Sequence, residues 1–263
     1  MKKLLILAIL ALSFSANAQW IQTNGPYGGQ DVRCLAASGT NIFAGTMSGV
    51  FFSSNNGNTW TAVNNGLTNT YVRSLAISGT NIFAGTWSGV FLSNNNGSSW
   101  TNMNNGLPSN SVVMSLIVKD TNIFAGLYPD GGLGGVFRSG NNGSSWTEVD
   151  NGMPSYGDTM QSGYSIVGLG VNGNNIFAEP WRCKLAVSSN DGGSWAVSDN
   201  GFQDDPNGFL FTANDSDIFV GNSYGVFLSN NNGGLWTTMN NAFTTAGVSA
   251  LLALAAWLHG SCE

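Results

Sequence analysis

The chain has 263 residues, enough for one large domain. Only 8% of them are charged, where an ordinary domain has about 25%, and an aromatic content of 11% argues against disorder. A formal charge of −6 disfavours nucleic acid as a partner, because such binding needs clustered Lys and Arg.

Residues 1–18 read as a secretory signal peptide. Lys2 and Lys3 form its charged start, Leu4 to Phe14 its apolar stretch, and Ala16-Asn17-Ala18 a small-x-small cleavage site. The apolar stretch is too short to anchor in a bilayer. No later segment is long enough to span one after cleavage, so the expected location is outside the cell, on its outer surface or in the periplasm. Without the two leader lysines, six basic residues face fourteen acidic ones, a net of −8.

Residues 19–245 are organised by one phrase in five copies: SSNNGNTW at 53–60, SNNNGSSW at 93–100, SGNNGSSW at 139–146, SSNDGGSW at 188–195 and SNNNGGLW at 229–236. Each fits Ser-x-Asn-x-Gly-x-x-Trp, and the tryptophans are 40, 46, 49 and 41 residues apart. A period of that size suits one four-stranded propeller blade. The phrase reads as a self-capped hairpin. Asn builds a turn and tolerates left-handed dihedrals, Gly supplies a positive φ, and the Trp ring folds back from the next strand.

The second unit shows the blade most clearly. Its strands are expected at Val72 to Ser78, Asn81 to Thr86, Gly89 to Ser93 and Trp100 to Met103, separated by turn clusters. Trp20 to Asn24 matches a fourth strand with no blade before it. After residue 245 the pattern fails. Residues 246–263 begin like a first strand, then turn Ala/Leu-rich and helix-prone, which reads as an incomplete or frameshifted blade. The expected fold is therefore an all-β propeller with five recognisable blades, incomplete at its C-terminal end.

The phrase resembles the Asp-box, or bacterial neuraminidase repeat, found in propellers of sialidases, sortilin-type receptors, xyloglucan-active glycoside hydrolases and photosystem II assembly factor-like proteins. The resemblance implies hairpins that are structural and stand away from any active site. Its residues here are Asn55 with Trp60, Asn95 with Trp100, Asn141 with Trp146, Asn190 with Trp195 and Asn231 with Trp236. Asparagine replaces the family's aspartate in every copy, which keeps the turn-forming oxygen and loses the charge. That weakens a metal reading, since hard cations want carboxylates. No cofactor or metal is expected.

Cys34, Cys183 and Cys262 are odd in number, so they cannot all pair internally. Cys34 takes the place that Ser74 and Ser115 hold in later units, as a small buried filler. The only histidine, His259, stands in the aberrant tail. That leaves no basis for a Ser–His or Cys–His nucleophile.

Lengthened loops show where a repeat protein can carry function. The units depart from one another at Leu127 to Gly135, between Gly152 and Val167, at Glu179 to Cys183, and at Gln203 to Pro206. Turns after second strands and linkers after fourth strands share one end of each blade, so all four departures lie opposite the hairpins. The same end offers Met47, Trp87, Tyr128, Trp181 and Tyr224 at the turns between second and third strands. The candidate binding residues are Trp87, Tyr128, Asp130, Tyr156, Asp158, Glu179, Trp181, Arg182, Asp204, Asp205 and Tyr224. Aromatic rings can stack on sugars while acids bond hydroxyls.

Four arginines do not form an evident sialidase-type triad, and Arg33 and Arg73 are repeat-equivalent. The expected function is non-catalytic binding of a glycan or an extracellular protein. One alternative is a glycoside hydrolase of sialidase or xyloglucanase type, which needs two facing carboxylates. The other is a structural surface repeat with no ligand.

Overall fold

The run Asn-Ile-Phe-Ala-Gly begins at residues 41, 81 and 122. A strand this uniformly apolar must be covered on both faces. The computed structural model describes residues 25–26, 31–129, 134–154, 164–181, 183–202, 210–214, 217–222 and 224–239. Their strands form five four-stranded antiparallel sheets, each a meander, with no helix among the described residues.

The first sheet holds β1 (Val32–Ser38), β2 (Asn41–Thr46), β3 (Gly49–Ser53) and β4 (Thr61–Ala62). The second holds β5 (Val72–Ser78), β6 (Asn81–Thr86), β7 (Gly89–Ser93) and β8 (Thr101–Asn102). The third holds β9 (Val112–Lys119), β10 (Asn122–Tyr128), β11 (Gly135–Ser139) and β12 (Thr147–Glu148). The fourth holds β13 (Ile166–Asn172), β14 (Asn175–Pro180), β15 (Ala186–Ser188) and β16 (Ala196–Val197). The fifth holds β17 (Leu210–Ala213), β18 (Ile218–Asn222), β19 (Gly225–Ser229) and β20 (Thr237–Thr238). First strands of successive sheets touch one another, β1 to β5, β5 to β9, β9 to β13 and β13 to β17. The sheets are thus blades, with first strands inside and short fourth strands outside.

The core lies between blades. Phe43 and Val50 of blade one pack with Leu75, Ile82, Phe91 and Trp100 of blade two. Phe83 and Val90 of blade two pack with Leu116, Ile123, Phe137 and Trp146 of blade three. Glycine in the second strand permits this approach. A Cβ on Gly85 would fall 2.7 Å from Val113 Cγ1, and one on Gly45 would fall 2.7 Å from Val72 Cγ1.

The first three strands of blade two lie where the sequence places them. The fourth pairs only over Thr101–Asn102, because the Trp100 N–H leaves its own sheet for the Asn65 carbonyl at 2.9 Å. The repeated phrase explains why. Ser93 Oγ accepts the Gly97 N–H at 2.8 Å and donates to Asn95 Oδ1 at 2.9 Å, and that oxygen accepts the Ser99 N–H at 2.9 Å. The same bonds recur at Ser53, Ser139, Ser188 and Ser229. The left-handed residue is the fourth of the phrase, not the third. Asn56, Asn96, Asn142, Asp191 and Asn232 have φ between 55° and 57°. Asn and Asp tolerate that region best among residues with a Cβ.

The hairpin presents its tryptophan to the preceding blade. Trp100 Nε1 donates to the Val63 carbonyl at 2.7 Å, Trp146 to Met103 at 2.7 Å, Trp195 to Val149 at 2.6 Å and Trp236 to Ser198 at 2.9 Å. Each acceptor stands three residues after the preceding blade's tryptophan. Trp60 breaks the series, for its Nε1 is buried without a partner among the described residues. Among the described residues nothing covers the same side of blade one: Leu35 is 64% exposed where Leu75 is 9%, and Val32 is 45% exposed where Val72 is fully buried.

Cys34 sits opposite Gly45 as Ser74 sits opposite Gly85 and Ser115 opposite Gly126. Burial pushes its thiol up to about 12, so it is not a ready nucleophile. Cys34 and Cys183 form no disulfide with each other. The signal peptide, the Trp20 to Asn24 strand and the 246–263 tail lie outside the described residues, as do His259 and Cys262.

Candidate ligand-binding site

Blade topology puts the turns between second and third strands at one end and the octapeptide hairpins at the other. At the first end, between blades two and three, Arg73, Trp87, Val112, Met114 and Tyr128 line a cleft of about 330 Å³. That is near the lower end of the roughly 300–1,000 Å³ typical of small-molecule sites.

Local sequence builds each wall. Trp87 tops the tight turn between β6 and β7. Thr86 Oγ1 accepts the Ser88 N–H at 3.0 Å and donates to the Gly89 carbonyl at 2.9 Å. Asn104 Nδ2 holds the Ser88 carbonyl at 2.8 Å, and Asn69 Nδ2 holds Ser88 Oγ at 2.8 Å. The indole stands on a pinned turn, 48% exposed, with the Tyr71 ring packed on it at a centroid distance of 4.6 Å. A large ring already fixed in place loses little entropy on binding. Tyr128 ends β10, opposite Val112, and is 38% exposed.

Arg73 and Met114 come from β-bulges. The register of blade two slips between Val72 and Ser74, and that of blade three between Gly126 and Leu127. A bulge leaves one residue outside the ladder and re-aims its side chain. Here those two residues line the cleft. The Arg73 guanidinium also lies 5.9 Å from the Tyr71 ring centroid, within cation–π reach.

The structure therefore brings two sequence candidates, Trp87 and Tyr128, into one cleft. Trp181 holds the repeat position of Trp87 in blade four, half-buried, with its N–H on the Ser165 carbonyl at 2.7 Å. Tyr224 is exposed but aligns one position later. Its N–H meets Asn222 Oδ1 at 2.8 Å, as the Ser88 N–H meets Thr86 Oγ1. Glu179 needs correction. It is not a solvated loop acid but a strand residue of β14, only 3% exposed. It replaces the glycine of the other second strands and lines a smaller cavity of about 150 Å³ between blades four and five. Asp130, Tyr156, Asp158, Arg182, Asp204 and Asp205 lie outside the described residues.

Sequence reading missed Arg73, Met114 and Val112. Arg73 was set aside because Arg33 repeats it, and a bulge leaves no mark in hydrophobic alternation. The signal was at hand in the flanking residue. Asp31 precedes the bulge in blade one and Tyr71 in blade two.

At the outer edge of the same end, burial and the neighbouring Glu148 charge push the Asp150 carboxyl up to about 6. Asn64 and Asn104 hold the equivalent positions. Asn104 Oδ1 takes the Val90 N–H at 2.8 Å while its Nδ2 bonds a carbonyl, a donor that an ionised aspartate lacks. Among the described residues no cluster of three or more His, Cys, Asp or Glu could hold a metal. No described helix is long and apolar enough to cross a membrane.

No family model matches the chain, and no curated protein matches it. Solved structures do. The extracellular domain of BT4673 from B. thetaiotaomicron aligns with a TM-score of 0.65 at 16% identity, over 87% of this chain and 30% of that one. An ancestral GH74 enzyme aligns at 0.61 and 21% identity, over 83% of this chain and 32% of that one. The GH74 xyloglucanase from Xanthomonas campestris aligns at 0.54 and 16% identity, over 75% and 37%. These likenesses place the fold among the β-propellers. The chain spans about a third of the length of each.

Proposed function

We propose that this chain is a secreted, non-catalytic binding propeller of the Asp-box type, and that it takes a glycan at the end opposite its hairpins. The carrying observation is the pair of exposed rings, Trp87 and Tyr128, on either side of one cleft. Exposed aromatic rings with one guanidinium among an otherwise apolar lining suit a sugar, whose faces are apolar and whose edge is polar. The signal-peptide reading of residues 1–18 puts such a ligand outside the cell, at its surface or in the periplasm. A screen of the mature chain on a glycan array should return oligosaccharide ligands. Isothermal titration of Trp87→Ala with Tyr128→Ala should then show affinity reduced at least about tenfold, the scale of one lost stacking contact of about 1–2 kcal/mol. Unchanged affinity in the folded double variant would remove the cleft from consideration. Failure of every glycan to bind would favour the purely structural reading.

A glycoside hydrolase of sialidase or xyloglucanase type is the alternative. It needs two carboxylates about 5–9.5 Å apart across a cleft. Among the described residues no carboxylate lines the cleft, so no such pair faces across it there. Release of reducing ends from xyloglucan by the purified chain would favour the hydrolase.

A further inference from the structure

Two neighbouring blades carry the same bulged arginine in different company. In blade one Arg33 meets the Asp31 carboxylate at 3.3 Å. In blade two Tyr71 stands where Asp31 does, so Arg73 meets an aromatic face instead of an acid. The other described cations have oxygen partners. Lys119 pairs with Asp120 and Asp191, Lys184 pairs with Asp199, and Arg138 bonds the Asp191 carbonyl. Arg73 alone has no ion pair and no hydrogen-bond acceptor among the described residues, and it lines the cleft.

The surroundings favour an anion there although the chain as a whole is negative. Asp31 is the only acid before residue 120, and it is taken by Arg33. Asp120 sits on the turn between β9 and β10, at the hairpin end. Salt screens fields beyond about 8 Å at physiological ionic strength, so nearby charges outweigh the total. Among the described residues no carboxylate lines the cleft; Asp130, two residues after Tyr128, lies outside them. A guanidinium with planar donors matches a carboxylate bidentately, and such contacts are about twice as strong as neutral ones.

We propose that this cleft selects a hexuronic acid residue of an acidic glycan, with its carboxylate on Arg73 and its ring between Trp87 and Tyr128. The inference rests on the glycan-binding reading and adds the charge of the ligand to it.

The test is isothermal titration of the mature chain with trigalacturonate, its methyl ester, a neutral trigalactose, a heparin-derived trisaccharide and polyglutamate. The ester keeps the rings and removes the charge. Trigalacturonate should bind at least about tenfold more tightly than its ester, and the difference should shrink with added salt. Arg73→Gln should bring the acid-to-ester affinity ratio to about one, whereas Trp87→Ala should weaken acid and ester alike and preserve the ratio. Equal affinity for acid and ester, or a preference that survives Arg73→Gln, overturns the acid selectivity and leaves the glycan-binding function standing. Tighter binding of the sulfated trisaccharide overturns the carboxylate assignment, and polyglutamate binding as tightly overturns the sugar. Failure of all five probes overturns the uronic-acid assignment, and the glycan array then decides the binding reading separately. Circular dichroism of each variant verifies the fold.

Discussion

Trp60 and Trp100 are the same residue of the same repeat, and they should respond differently to the same substitution. Trp100→Phe removes the donor that holds the Val63 carbonyl at 2.7 Å across a closed junction. An unsatisfied buried carbonyl costs about 1–3 kcal/mol. Two lost ring carbons cost about 1–2 kcal/mol more in a site only 5% exposed. The expected loss is about 2–5 kcal/mol, overlapping the roughly 3–5 kcal/mol of a full Trp→Ala truncation. Trp60→Phe removes ring carbons from a less buried site. It also removes a buried N–H without a partner among the described residues. Relief of that group, about 1–3 kcal/mol, offsets the lost packing, and the net should lie within about 1 kcal/mol of zero. Urea unfolding followed by far-ultraviolet circular dichroism reads both values as midpoint shifts at constant slope. Equal losses would refute the argument, and would mean that a carbonyl outside the described residues holds Trp60 as Val63 holds Trp100.

Asp150 should make stability depend on pH in the unusual direction for a carboxylate. Its folded value of about 6 lies above its ordinary 3.8, so the native state holds the proton more tightly. Stability is then greatest below about 4 and declines as pH rises through about 6. Asp150→Asn, which restores the residue of blades one and two, should flatten that limb and raise the melting temperature at pH 7, as measured by thermal scans at several pH values. Gly85→Ala should cost about 1–3 kcal/mol by urea titration, because its Cβ would meet Val113 of the next blade at 2.7 Å. Asn95→Asp should change stability by less than about 0.5 kcal/mol, since its Oδ1 contacts survive and Ser99 Oγ can turn to donate. It should also confer no calcium-dependent melting shift, and a shift of several degrees with calcium would count against a purely structural hairpin.

The sequence by itself determined the blades. The tryptophan period, the doubly apolar second strands and the Asn-Gly turns are local signals, and the observed bounds of β5, β6 and β7 agree with them. It also determined which end of each blade carries the hairpins, because a meander of known strand order leaves no choice. Only the tertiary structure decided what those tryptophans hold. The acceptor of Trp100 lies 37 residues back, in another sheet, and nothing in the phrase points to it. Glu179 is the same kind of case. It reads as a loop acid until the register shows it standing where other blades need glycine. The cleft was half legible. Trp87 and Tyr128 declared themselves as aromatics at turns, whereas Arg73 was hidden by its likeness to Arg33. A bulge is set by how two strands pair, so the side chain it turns toward the open end of the blade is fixed by the partner strand rather than by its own neighbours in sequence.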